Sequence, residues 1–105
     1  MTDAVLVLTT LPTADAAAQI AKAVVGEKLA ACANILPALR SIYRWQGQVQ
    51  DESEVLVLLK TQRVHYARLK ARILELHPYD VPEVLAIPVE QGHAAYLDWI
   101  ARETA

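Results

Sequence analysis

The chain has 105 residues, with twelve acidic and ten basic side chains and a formal charge of -2. That is the length of a single domain, residues 1–105, and it offers no electrostatic footprint for nucleic acid or an anionic membrane. Hydrophobic residues make up 54% of the sequence, which excludes a disordered chain, and the absence of phenylalanine requires a core of Val, Leu, Ile and Ala. One cysteine, Cys32, excludes an intrachain disulfide. No apolar run approaches the ~20 residues that span a bilayer, and Met1-Thr2-Asp3 lacks the features of a secretion signal, so a reducing cytoplasm is the expected compartment.

Ala4 to Thr10 is a short aliphatic run ended by Leu11-Pro12, which predicts a first strand that stops at a turn. Thr13 is placed to cap a helix with Asp15 in its first turn. Ala17, Ile20, Ala21, Val24 and Val25 recur at helical spacing, and the helix is expected to run to about Leu29 with Gly26 loosening its last turn. Ala31 to Leu36 and Arg40 to Trp45 read as one strand bent at Pro37, its second half alternating and aromatic. Gln46-Gly47 marks a turn into Gln48-Val49-Gln50 and the aliphatic run from Glu54 to Lys60, so the second and third strands form a long hairpin. Thr61 is expected to cap a second helix whose apolar stripe is Tyr66, Leu69, Ile73 and Leu76. His77-Pro78 stops that helix. A fourth strand is expected from Glu83 to Val89, with Pro88 marking an edge, and after Gly92 a short helix from Ala94 to Arg102 presents Tyr96, Leu97 and Ile100.

The order β-α-β-β-α-β plus a closing helix predicts an α+β fold, a ferredoxin-like sandwich in which two helices cover one face of an antiparallel sheet. In that topology the first and third strands are central. Both are apolar at consecutive positions, Val5-Leu6-Val7-Leu8 and Val55-Leu56-Val57-Leu58-Leu59, so both faces of the sheet require burial. A lone chain covers only one face, and an obligate oligomer follows. The hairpin around Tyr43, Trp45 and Gly47 reaches past the outer strands and offers a free edge to a neighbour.

The sharpest local signal is His77-Pro78-Tyr79-Asp80-Val81-Pro82-Glu83. Each proline fixes its own φ and pushes the preceding residue toward extended backbone, so an imidazole, a phenol and two carboxylates are held on a stiff connector. The purely structural use of the same run is a rigid helix-to-strand junction, with His77 meeting the negative end of the helix dipole.

Five ordered blocks carry a family resemblance that covers nearly the whole chain. They are Cys32-Ala33-Asn34-Ile35, Ser41-Ile42-Tyr43-Arg44-Trp45-Gln46-Gly47, Glu54-Val55 leading to Lys60-Thr61, the His77-to-Glu83 run, and Tyr96-Leu97-Asp98-Trp99-Ile100. Together the sequence resembles the CutA divalent-cation tolerance family. The resemblance implies a ferredoxin-like homotrimer with sheets packed around a threefold axis, similar in fold and assembly to the nitrogen-regulatory PII proteins. It also implies a role in tolerance to divalent metals, especially copper, with no reaction attached.

Taken on their own, Cys32, His65, His77 and His93 show none of the short spacings of a zinc finger, a zinc ribbon or a His-x-x-x-His helix. A metal site would have to be assembled by the fold or between chains. Cys32 and His77 would supply the ligands copper prefers, and Glu83, Asp80 or Tyr79 would add oxygen. Cys32 has a competing role as a small buried hydrophobe, and His65 and His93 are expected to face solvent. Some members of the family offer a thiol at the end of the first strand and a histidine before the His-Pro pair, where this chain has Thr9 and Leu76. No cofactor is required. Copper or another divalent cation is the ion such a site would hold.

The alternative is a signalling or scaffold trimer that holds a small ligand in clefts between subunits. Asn34, Tyr43, Trp45, Lys60, Tyr79, Asp80 and Trp99 would line the clefts beside Glu83. The same residues have a packing role open to them, including an ion pair between Glu83 and Lys60. Catalysis is not expected. Ser41, Ser53 and Cys32 sit in no nucleophile motif, and three glycines make no phosphate loop. The central strands also lack the aromatic platforms of an RNA-binding sheet.

Overall fold

A computed structural model describes all residues, 1–105. The elements in order are β1 (Ala4–Leu11), α1 (Ala14–Gly26), β2 (Cys32–Trp45), β3 (Gln48–Gln62), a 3₁₀ turn (Arg63–His65), α2 (Tyr66–Leu76), β4 (Leu85–Pro88) and α3 (Ala94–Glu103). All four strands join one antiparallel sheet in the order β2-β3-β1-β4, the expected ferredoxin-like arrangement.

One face of the sheet carries Val5, Val7, Leu11, Val55, Val57 and Leu59, and it is covered by Ala17, Ile20 and Val24 of α1 and by Leu69 and Ile73 of α2. Strand alternation then places the remaining residues on the second face. Its register rows run Cys32, Lys60, Leu6, Ile87 and then Asn34, Leu58, Leu8, Leu85, with Leu36, Leu56 and Thr10 beyond. α3 covers one end of this face, where Ile100 packs with Ala4 and Ala31, and no helix lies over the middle. Leu85 is 57% exposed and Ile87 48%.

β1 pairs with β3 only from Val55 to Gln62, so the hairpin beyond Val55 projects from the body and stretches the molecule to 44 × 25 × 23 Å. Its tip is tight. Gln46 and Gly47 have φ of 51° and 79°, the pair of positive values that a two-residue type I′ turn requires. Pro37 and Ala38 together oppose Val55 alone, a bulge in which Ala38 takes φ 65°. The bulge moves the alternation by one residue. Even-numbered positions Cys32, Asn34 and Leu36 precede it on the second face, and odd-numbered Ser41, Tyr43 and Trp45 continue that face after it.

Three local expectations are corrected. α1 ends at Gly26 rather than near Leu29, and the left-handed position falls two residues later on Lys28, with φ 62°. Lys28 N–H donates to the Val25 carbonyl and Leu29 N–H to that of Val24, a Schellman closure that seats Leu29 in the core. Thr61 does not cap α2. It belongs to β3, and its hydroxyl donates to the Leu29 carbonyl at 2.7 Å, while α2 begins at Tyr66 after the 3₁₀ turn with no side-chain cap. β4 is short, pairing only with Val5 to Leu8, because Val81-Pro82-Glu83 is still part of the connector. Pro88 lies at the end of this edge strand, where no ladder needs its missing N–H.

Candidate functional site

Past Leu8, where the β4 pairing ends, the edge of β1 is taken over by the connector after α2. His77 leaves the helix with extended backbone, φ -76° and ψ 136°, as the following proline dictates. Its Nδ1 accepts the Tyr79 N–H at 3.1 Å, which places the ring proton on Nε2, and that N–H donates to the Thr10 carbonyl at 2.8 Å. Burial holds the His77 pKa below the ordinary imidazole value, against the opposing pull of the Thr10 carbonyl and the Glu54 carboxylate. A second proton would also have to enter at Nδ1, where a backbone donor already points.

The His77 and Tyr79 rings lie 4.9 Å apart, and Tyr79 Oη reaches across to donate to Glu54 Oε2 at 2.8 Å. The Tyr79 phenol is pushed well above its usual range, first by burial and then by this bond to a carboxylate. The result is a chain of contacts from β1 through the connector to β3. It frames an open cleft of about 660 Å³ between the hairpin and the connector. Tyr43, Trp45 and Ser41 contribute one wall, Pro78 to Val81 and Glu83 the other, and Glu54 and Thr10 line the cleft with them. Burial and the nearby Glu52 carboxylate raise the Tyr43 phenol.

The residues expected to line clefts between subunits divide, within one chain, into two groups. Tyr43, Trp45, Tyr79, Asp80 and Glu83 come together beside the hairpin. Asn34, Lys60 and Trp99 lie toward the other end of the second face, where Lys60 Nζ stands 5.6 Å from the centroid of the Tyr96 ring and Tyr96 stacks on Trp99 at 5.5 Å. Lys60 and Glu83 form no ion pair. Glu54 and Thr10 are the site residues that sequence reasoning missed. A carboxylate opening the apolar run at Glu54 was the available signal.

The expected metal set of Cys32, His77 and Glu83 is not gathered within one chain. Cys32 is in register with Lys60, four residues and thus about 13 Å of strand from the Leu56 row to which Thr10 and its His77 contact belong. Its Sγ lies 3.8 Å from Asn34 Oδ1. Both ring nitrogens of His77 are committed to backbone groups, and no three His, Cys, Asp or Glu side chains form an arrangement able to hold a metal ion. Of the other histidines, His93 is exposed and His65 half-buried.

Comparison with known proteins agrees with the topology. Residues 5–103 match the model of the family described as CutA1 divalent ion tolerance protein. The "Divalent-cation tolerance protein CutA" of Thermus thermophilus is 50% identical over 99 residues, covering 94% of this chain and 96% of that one. The mouse "Protein CutA" is 45% identical over 95 residues, 90% of this chain, and this chain spans only 54% of its length. The crystal structure of CutA from Xylella fastidiosa superposes with a TM-score of 0.96 at 39% identity, covering 99% of this chain and all of that one. By fold and by a family match over residues 5–103, with 50% identity to a relative over 94% of its length, this chain belongs to the CutA1 divalent ion tolerance family.

Proposed function

We propose that the chain acts in tolerance to divalent cations as a non-catalytic homotrimer closed over the second face of its sheet, with the cleft beside the hairpin as its ligand site. The observation that carries this reading is the apolar second face, where Leu6, Leu8, Leu56, Leu58, Leu85 and Ile87 lie in adjoining rows with no helix over most of them. A contiguous apolar patch of this kind is rare on a soluble monomer. Three copies is the assembly that the sequence resemblance implies.

The reading is non-catalytic because the family resemblance attaches no reaction to the fold. Ser41, Ser53 and Cys32 have no hydrogen bond to a histidine, and His77 has no ring nitrogen free to act as a base. Copper held by Cys32, His77 and Glu83 would need ligands from more than one chain, so tolerance on this reading works through assembly and ligand sensing rather than through a metal centre closed within each subunit. The single free thiol suits a reducing compartment such as the cytoplasm. No helix is long and apolar enough to cross a membrane.

Leu58→Glu tests the reading, because it puts a charge in the middle of the second face and leaves the helix-covered core untouched. In a strain lacking its own family member, the wild-type chain should restore growth in excess copper. The variant, folded by circular dichroism but reduced to single chains, should not. Restoration by a folded single-chain variant would overturn it.

A further inference from the structure

The walls of the hairpin cleft have a composition that the tolerance role does not explain. Three aromatic side chains, Tyr43, Trp45 and Tyr79, stand with three carboxylates, Glu54, Asp80 and Glu83, and no lysine or arginine lines the space. Glu54 is only 9% exposed and belongs to no ion pair. Tyr79 satisfies its Oε2, and no group of the chain donates to its Oε1. A carboxylate held this firmly, with one oxygen lacking any donor from the chain, is a preformed acceptor for a cation that enters the cleft.

The aromatic walls narrow the class of that cation. Electron-rich ring faces attract organic ammonium groups and favour their alkyl portions, whereas a small hard metal ion requires a close shell of several oxygens. No such shell is present. A volume of about 660 Å³ is also far larger than a bare ion and falls in the range of small-molecule sites. We propose that the cleft binds a compact alkylammonium ion, its charged head on Glu54 Oε1 and its methylenes against Tyr43 and Trp45. This rests on the assignment of the cleft as a ligand site and not on the trimer.

A free amine and a lysine side chain of another copy of this chain share that chemistry. The free amine is the occupant proposed, since the cleft of one chain is open and has the volume of a small-molecule site. The experiment titrates 1,4-diaminobutane and, separately, n-butylammonium into the full-length protein at constant ionic strength, following tryptophan emission in a Trp99→Phe background so that Trp45 alone reports. Saturable change is expected with the amines, with at least tenfold weaker apparent affinity in Glu54→Gln, which keeps an acceptor for the Tyr79 hydroxyl. Tyr43→Leu should weaken binding severalfold and guards against a folding defect in the first variant.

Several outcomes overturn the proposal. They are no saturable response, an equal response to sodium chloride, equal affinity in both variants and the parent, saturation by Mg(II) or Cu(II) but not by amines, or a response that appears only when dilution separates subunits and frees a lysine from the cleft. A trimer that ignores amines sinks this inference alone. A single chain that binds them sinks the trimer alone.

Discussion

Thr9 and Thr61 lie on the same helix-covered face of the sheet, in register with Val57 and Val5, and both are 0% exposed. Their hydroxyls differ in one respect. Thr61 Oγ1 donates to the Leu29 carbonyl at 2.7 Å, closing the chain after α1, while Thr9 Oγ1 has no partner. A buried hydroxyl without a partner costs about 1–3 kcal/mol in lost hydration. Valine has nearly the shape of threonine, so Thr9→Val removes that cost without opening a cavity and should stabilise the protein by about 1 kcal/mol per chain. Thr61→Val removes a bond and strands the Leu29 carbonyl, and it should destabilise by about 1–3 kcal/mol. The same exchange on the same face therefore changes sign. Urea unfolding at fixed protein concentration reads the difference as midpoints on opposite sides of the wild-type value with unchanged slopes. Shifts in the same direction, or a destabilised Thr9→Val, would refute the reasoning that hydroxyl pairing sets the energetics of this face.

Three further outcomes follow from local geometry. Lys28→Gly relieves a left-handed residue that already serves a complete Schellman closure, and thermal or urea unfolding should show a gain of about 1 kcal/mol. His77 has a folded pKa below its unfolded value near 6.5, so the unfolded chain binds the extra proton first; stability is full above about pH 6.5 and is lost as pH falls through that value toward the lower folded pKa. His77→Gln should flatten the urea-midpoint profile between about pH 7 and 5, and an unchanged slope would contradict the burial of the ring. The Tyr79 phenol, raised by burial and by its bond to Glu54, should stay protonated at about pH 10, where a free phenol ionises, so the ultraviolet titration of the wild type minus that of Tyr79→Phe should show no phenol ionising near that pH.

Much of the fold was legible in the sequence because its signals were local and mutually consistent. The helix stripe of Leu69 and Ile73, the turn signal at Gln46-Gly47 and the proline-closed end of α2 all depend on neighbours a few residues away. The unbroken aliphatic runs of β1 and β3 also disclosed that the sheet has two apolar faces. What was not legible depended on distant partners. Thr61 reads as a helix cap until the Leu29 carbonyl, 32 residues away, is seen to take its hydroxyl. Gly26 looks like the place where α1 loosens, yet the chain places its left-handed turn on Lys28 because Leu29 must reach the core.

The site was divided in the same way. Tyr43, Trp45, Tyr79, Asp80 and Glu83 read as lining clefts between subunits, and within one chain they line a single space beside the hairpin. Asn34, Lys60 and Trp99 read as lining the same clefts, but register carries them to the far end of the second face. Cys32 and His77 could be paired only by ignoring the strand length between them. Glu54 was passed over because the parity shift at the Pro37–Ala38 bulge, which brings Tyr43 and Trp45 onto its face, depends on the register between two strands.

The trimer closed over the second face is tested most directly by the mass of the unmodified protein in dilute buffer. Sedimentation equilibrium at micromolar concentration should give three times the 11.6 kDa of one chain. A folded, cooperatively melting species of 11.6 kDa would contradict it, because half-buried Leu8 and Leu58 and exposed Leu85 would then meet water in adjoining positions with no helix over them.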